Sequence, residues 1–330
     1  MTSARRSTPT RLEITRVDTW DVLVPLRAPL QSGGGVQRLK PEFACVPLDE
    51  CATGQGLPGP AAERTLVAVH TVDGLIGLGE GPPTPAAVLQ ALLGHNPFCL
   101  EEVHLLFPGE QNPAWVVAEM ACLDLQGKAL GLPLCRLLNG DDVRPSVPHS
   151  GHCASRLPNR CGAGGVSPDH YAEHCRRLVE AYGLEGLALD LGVYRPEVEV
   201  ELVEQVRQVV GPHLELRVDV NGVWSRATAV RALRKLEACD LEYVEDPLQT
   251  AHVHAIHDYP GMAALRQRVP VPLAVDGSYR LRNLVDVIRY DCADVVLVDY
   301  YGCNGARGAQ QFCCTARAFD VGLSLHAGYG

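Results

Sequence analysis

The sequence predicts an α/β chain: a (β/α)8-type TIM barrel, incomplete with seven strands present, behind an N-terminal α+β capping domain. Three observations predict it. Beyond residue 143, short β-rich runs alternate with helix-patterned runs, the sequence form of a parallel sheet covered by helices. Before residue 144, strand-like runs come first and helix-like runs follow, the order of an α+β unit. No Gly-rich dinucleotide fingerprint follows the first strand of the repeating part, and so many units of similar length favour a barrel over an open doubly wound sheet. The expected organisation is a disordered tail over 1–11, a capping domain and substrate lid over 12–143, and a catalytic barrel over 144–330.

In the first part, residues 12–30 alternate enough for a strand. Residues 31–63, rich in Gly, Pro and polar residues, read as long mobile loops. TLVAVHTVDGLIGLGEG (65–81) reads as a hairpin, because Asp73-Gly74 is a strong turn signal between two β-rich runs. Residues 84–139 carry helical periodicity, including WVVAEMACLDLQGKALG, with Gly131 placed as a C-cap. The repeating part opens with the strand SVPHSGH and the helix PDHYAEHCRRLVEAYG. It continues through the strands GLALDLG, LELRVDV, LEYVEDP, VPLAVDG, ADVVLVDYYG and VGLSLHAG, with helix-patterned runs between them. Only seven strands are counted, so the expectation is an incomplete reading frame or fragment, or a short form that takes its missing strand from a partner.

Composition narrows the function classes. The chain has 330 residues, 46% hydrophobic and 21% charged, with a net charge of −10. That balance argues against an electrostatic nucleic-acid binder, which needs a basic face. No apolar run reaches membrane-spanning length. The N-terminal MTSARRSTPTR is basic and polar but lacks the apolar core of a secretory signal; a disordered tail is the expectation, with a transit peptide the alternative. Thirteen cysteines, an odd number with no CxxC pair, fit a reducing cytoplasm better than a disulfide scaffold.

The chemistry concentrates at strand ends, where a barrel carries its catalytic groups. The third strand ends in Asp219, the fourth in Glu245, the fifth in Asp276, the sixth in Asp299 and the seventh in His326. One polar strand end is ordinary; four successive carboxylates followed by a histidine are not. Converging carboxylates repel one another unless a hard cation sits among them, and oxygen-only ligation selects Mg2+. Asp299 and His326 fall on adjacent strands, a placement that suits an Asp-oriented imidazole acting as general acid or base. Two rival patterns are weaker. His170, Glu173 and His174 match the H-x-x-E-H of inverted zinc peptidases, but on a helix that packs outside the barrel. His252, His254 and His257 form an H-x-H-x-x-H cluster that reads as solvated loop histidines, with a soft-metal site as the alternative.

Taken in order, the α+β cap, AEMACLDLQGKALGLPL, RVDVNGVW, YVEDP, VDG, the Asp299 strand and GLSLHAG resemble the enolase superfamily. The likeness is greatest to its mandelate racemase and muconate lactonizing enzyme branch, and within that to glucarate dehydratases. It covers about residues 12–330. The resemblance implies Mg2+ held by Asp219, Glu245 and Asp276, although many relatives place the third ligand one residue later, where this chain has Gly277. It implies that Mg2+ holds the substrate carboxylate, that His326 with Asp299 moves the proton α to it, and that Asn221 contacts substrate. The implied reaction is elimination of water from a sugar acid. The implied lids are 28–40 and 48–62, and the implied assembly is a homo-oligomer. A cytoplasmic enzyme of carbohydrate-acid catabolism follows from the same likeness.

One departure stands out. The second strand of this branch ends in K-x-K, and here the corresponding residues are Ala188-Leu189-Asp190. Asp190 should face the barrel mouth, where a carboxylate adds repulsion of about 4 kcal/mol for unit charges about 4 Å apart at an effective dielectric near 20. Coordination to the metal shell, or protonation and use as an acid, would reduce that cost. The missing lysines leave open a catalytically idle, metal-binding homologue acting as a scaffold. They also disfavour a racemase, which needs a base on each face of its substrate.

Overall fold

The computed structural model describes residues 12–25, 61–148, 150–153, 168–192, 194–249, 258–277 and 279–326. The tail 1–11, the lid segment 28–40, nearly all of 48–62, and His252, His254 and His257 lie outside the described residues.

Strands β1 (Ile14–Pro25), β2 (Ala61–Thr71) and β3 (Ile76–Gly81) form an antiparallel sheet in the order β1-β2-β3. The β2–β3 hairpin turns at Asp73-Gly74, as predicted, with His70 opposite Ile76. Alternation along β2 buries Thr65, Val67, Val69 and Thr71 on one face. That face meets the helices α1 (Ala86–Leu89), α2 (Leu100–Leu105), α3 (Pro113–Leu130) and α4 (Leu134–Asn139). Their joint core gathers Ile14, Val17, Leu89, Leu92, Phe107, Trp115, Val117, Ala121 and Leu125. Helix α3 starts where the Asn112 side chain accepts from the Ala114 N–H, with Pro113 in the first turn, and stops at left-handed Gly131. The GLGEG run explains how β3 lies so near α3. A Cβ on Gly77 would sit 2.2 Å from the Ala121 carbonyl oxygen, and one on Gly79 2.4 Å from that of Val117.

The second sheet holds seven parallel strands among the described residues: β4 (Ser150–Cys153), β5 (Gly186–Asp190), β6 (Glu215–Asp219), β7 (Tyr243–Glu245), β8 (Leu273–Val275), β9 (Val295–Val298) and β10 (Gly322–Leu325). They lie in strict chain order, β4 to β10, as a curled half-barrel. Between them run α5 (Pro168–Tyr182), α6 (Pro196–Val210), α7 (Arg226–Leu236), α8 (Tyr259–Arg266), α9 (Leu281–Tyr290) and α10 (Ala306–Ala318). No described helix is long and apolar enough to cross a membrane.

Strand parity decides what this sheet does. Cys153, Leu187, Leu189, Leu216, Val218, Val244, Leu273, Val275, Val296 and Val298 pack in the core shared with helix residues such as Val203, Leu233, Leu265, Leu284 and Phe312. Side chains alternate faces with period two. The intervening residues therefore point to the inner side, where Tyr243, Ala274 and Leu297 form a small cluster of their own. Continuing the alternation puts His152, Asp190, Asp219, Glu245, Asp276, Asp299 and His326 on that same inner side.

The N-terminal part of the chain clamps the turn after β9. Gln111 Nε2 donates to the Gly302 carbonyl (2.9 Å), Trp115 Nε1 to that of Asn304 (2.9 Å), and Tyr301 Oη to that of Glu80 (3.2 Å). Glu119, fully buried on α3, accepts from the backbone N–H groups of Ala306 (2.6 Å) and Arg307 (3.3 Å) and so caps α10 from another part of the chain. Burial pushes the Glu119 carboxyl up despite these bonds. Gly305 makes the approach possible: at φ 97° it is left-handed, and a Cβ there would lie 1.9 Å from Glu119 Oε2. Glu119→Ala, which strands two helix N–H groups, is expected to cost about 3 kcal/mol of unfolding free energy in a denaturant titration. Gly305→Ala is expected to destabilise as well, whereas a loss within about 0.5 kcal/mol, the range of ordinary surface changes, would show that this clamp carries no stability.

Candidate active site

At the carboxyl end of the second sheet, Asp219 pairs in register with Asp190 on one side and Glu245 on the other. Asp276 follows β8, and its backbone N–H donates to Asp246 Oδ1 at 3.2 Å. Sequence reasoning passed over Asp246, although it stands beside Glu245 in YVEDP; its left-handed φ of 40° turns it back to the cluster, which no strand alternation would show. Glu245 is buried and Asp219 half-buried. Burial first, and then the charge of neighbouring acids, push the carboxyls of Asp219, Glu245 and Asp246 well above the usual carboxylate range. Tyr279 donates its hydroxyl to Asp276, another contact the sequence did not announce.

Two His–Asp pairs flank the acids. On the β9–β10 side, Asp299 Oδ2 lies 3.7 Å from His326 Nδ1, with 41% of the His326 side chain exposed. Asp299 is steadied by the Gly302 N–H, part of the clamped turn. The Asp299 carboxylate holds the His326 imidazole above its ordinary range, against the effect of burial. On the β4–β5 side, His152 Nε2 lies 2.8 Å from Asp190 Oδ1. Asp190 is 2% exposed, and its hydrogen bond holds the His152 imidazole above its ordinary range too. This contact gives Asp190 an imidazole partner, which the sequence reading did not foresee. The signal was present in SVPHSGH, whose last residue has inner-side parity.

Asn221, expected to contact substrate, adopts a left-handed φ of 58°. Its N–H donates to Asp219 Oδ1 (2.7 Å) and its side-chain amide to the Leu191 carbonyl (3.3 Å), which ties the β5 and β6 ends together. The H-x-x-E-H pattern falls on α5, as expected outside the sheet. Its Glu173 is taken up by Arg176 and Arg177 (2.8 and 2.9 Å), which hold the carboxyl down at about 2. The side chain of His170 lies outside the described residues.

As the side chains stand, no group of three or more His, Cys, Asp or Glu among the described residues is gathered tightly enough to hold a metal ion. The donor chemistry nonetheless fits a hard divalent cation. Asp219, Glu245 and Asp276 supply oxygen only, from three adjacent strands, and the first two are held in a setting where their own ionisation is costly.

A family model described as enolase C-terminal domain-like matches residues 170–330. A protein of Streptomyces coelicolor named probable glucarate dehydratase is 32% identical over 220 residues, 63% of this chain and 48% of its own. The chain therefore spans about half the length of that curated relative. A hydrophobic dipeptide epimerase of Enterococcus faecalis is 27% identical over 277 residues, 78% of this chain and 73% of its own. Among solved structures, an enolase from Thermobispora bispora complexed with magnesium and formate superposes with a TM-score of 0.78 at 26% identity, covering 97% of this chain and 76% of that one.

Proposed function

Because this chain belongs to the enolase superfamily, we propose that it removes the proton α to the carboxylate of a sugar acid and eliminates water from it, in the manner of a glucarate dehydratase. The observation that carries this reading is the run of inner-side acids on three adjacent strands ending beside the Asp299–His326 pair. Asp219, Glu245 and Asp276 are the residues that would hold Mg2+. When bound, the cation supplies positive charge against the substrate carboxylate and offsets the negative charge that grows as the α-proton leaves.

The chain's own residues do the rest. Asp299, facing Nδ1, orients the His326 ring and leaves Nε2 to take the α-proton. The clamped turn after β9 fixes Asp299, and through it the direction of that transfer. Electrons of the broken C–H bond form the double bond as the β-hydroxyl departs with a proton as water, and the resulting enol ketonises. The domain limits expected above, 12–143 for the capping part and 144–330 for the barrel, belong to this proposal, as do a cytoplasmic place and a homo-oligomer. A catalytically idle scaffold is the second reading, favoured only by the missing lysines.

The test is a panel of aldonic and aldaric acids, D-glucarate included, incubated with the full chain and MgCl2 and assayed for 2-keto acid. Turnover that stops when EDTA is added is the expected result. A folded chain that neither dehydrates nor exchanges the α-proton of any member of the panel would leave the scaffold reading in its place.

A further inference from the structure

The second His–Asp pair mirrors the first across the acids. Sheet order places His152 (β4) and Asp190 (β5) on one flank of β6–β8, and Asp299 and His326 (after β9 and β10) on the other. This pair is neither spread on the surface nor sealed in the core. Asp190 is buried on the inner side, while half of the His152 side chain (52%) remains open. A buried carboxylate demands a partner, and one that Asp190 has is a titratable ring on the inner side of the neighbouring strand. The groups that face it belong to the site as well. His152 feels the charges of Asp190, Asp219 and His326, and His326 feels those of Asp276, Asp299 and Asp190.

We propose that His152, oriented by Asp190, is a second proton-transfer residue, serving the face of a bound α-hydroxy acid opposite the face served by His326. This rests on the function proposed above. The step balances without an oxidant or reductant. One histidine takes the proton from C2, the electron pair passes into the carboxylate, and the other histidine, already protonated, returns a proton to C2 from the opposite face. One C–H bond breaks, one forms, and the two imidazoles exchange protonation states. On this reading the missing lysines do not leave the opposite face without a base.

The experiment uses the full chain with MgCl2 in D2O and two probes that are epimers at C2, D-gluconate and D-mannonate, with loss of the C2 proton signal followed by NMR. The wild type is expected to wash out both. His152→Asn should lose one epimer by about 100-fold and keep the other, and His326→Asn should show the converse. Asp190→Asn, a positioning change, should slow the same epimer as His152→Asn, and added imidazole should restore that epimer in His152→Asn. Epimer selectivity separates this role from a structural one, since damage to the fold slows both probes alike. Wild-type exchange of a single epimer, or undiminished exchange of both by His152→Asn, overturns the assignment and leaves the proposed function intact. Failure of the wild type to exchange either probe overturns the assignment too, while the proposed function falls only if the whole acid panel gives neither 2-keto acid nor exchange.

Discussion

His326→Asn is expected to lower α-proton exchange from the probe that His326 serves by about 10²–10⁴-fold, with binding of the same acid nearly unchanged. Asparagine keeps the ring's approximate bulk at the first atoms and a polar end, but it has no nitrogen that takes up a proton near neutral pH. The loss should therefore appear in kcat rather than in KM, as for a group that acts mainly in the transition state. Asp299→Asn should give a smaller loss of the same kind, because the imidazole keeps its place on the chain and loses the charge that orients it. The fold should not suffer greatly, since 41% of the His326 side chain is exposed. Kinetics of proton washout, with thermal unfolding recorded alongside, are the measurement. Full exchange by a folded His326→Asn chain would remove His326 from the reaction.

Asp219→Asn and Glu245→Gln are expected to weaken Mg2+ by about 10³-fold each. This is the affinity equivalent of about 4 kcal/mol, the attraction of unit charges about 4 Å apart at an effective dielectric near 20. The same variants should make the metal-free chain more stable. Both carboxyls lie well above their ordinary range because burial and neighbouring acids penalise their charge, so a neutral amide removes repulsion that the metal-free fold otherwise bears. Calorimetric titration reads the first effect. Thermal unfolding with and without MgCl2 reads the second: the metal-free midpoint rises while the shift caused by Mg2+ shrinks. Unchanged magnesium affinity in both variants would dismiss the metal site. A lowered metal-free midpoint in both would show instead that the acids stabilise the fold.

Much of this was legible in the sequence because it is written in local pattern. The turn at Asp73-Gly74, the Gly131 stop of α3 and the serial strand–helix units each depend on a few neighbouring residues. The acids were legible for the same reason, since each closes an apolar strand and period-two alternation sends Asp219, Glu245 and Asp276 to one side. Asp246 was not, because a left-handed backbone breaks that alternation. Glu119 was not either: among the apolar residues of α3 it looks like one polar misfit, and its purpose is set by backbone N–H groups 187 and 188 residues away.

The sequence by itself determined the fold class, the order of the strands and which side of the sheet the strand-end acids face, because backbone sterics and the burial of apolar side chains act along the chain. Only the tertiary structure decided which charges meet. The contact between His152 and Asp190 joins residues 38 apart at 2.8 Å, and it exists because two parallel strands bring their ends side by side. Local pattern shows that Asp190 lies on the inner face, but a buried charge is settled by its neighbours in space, and one of those is an imidazole on the neighbouring strand.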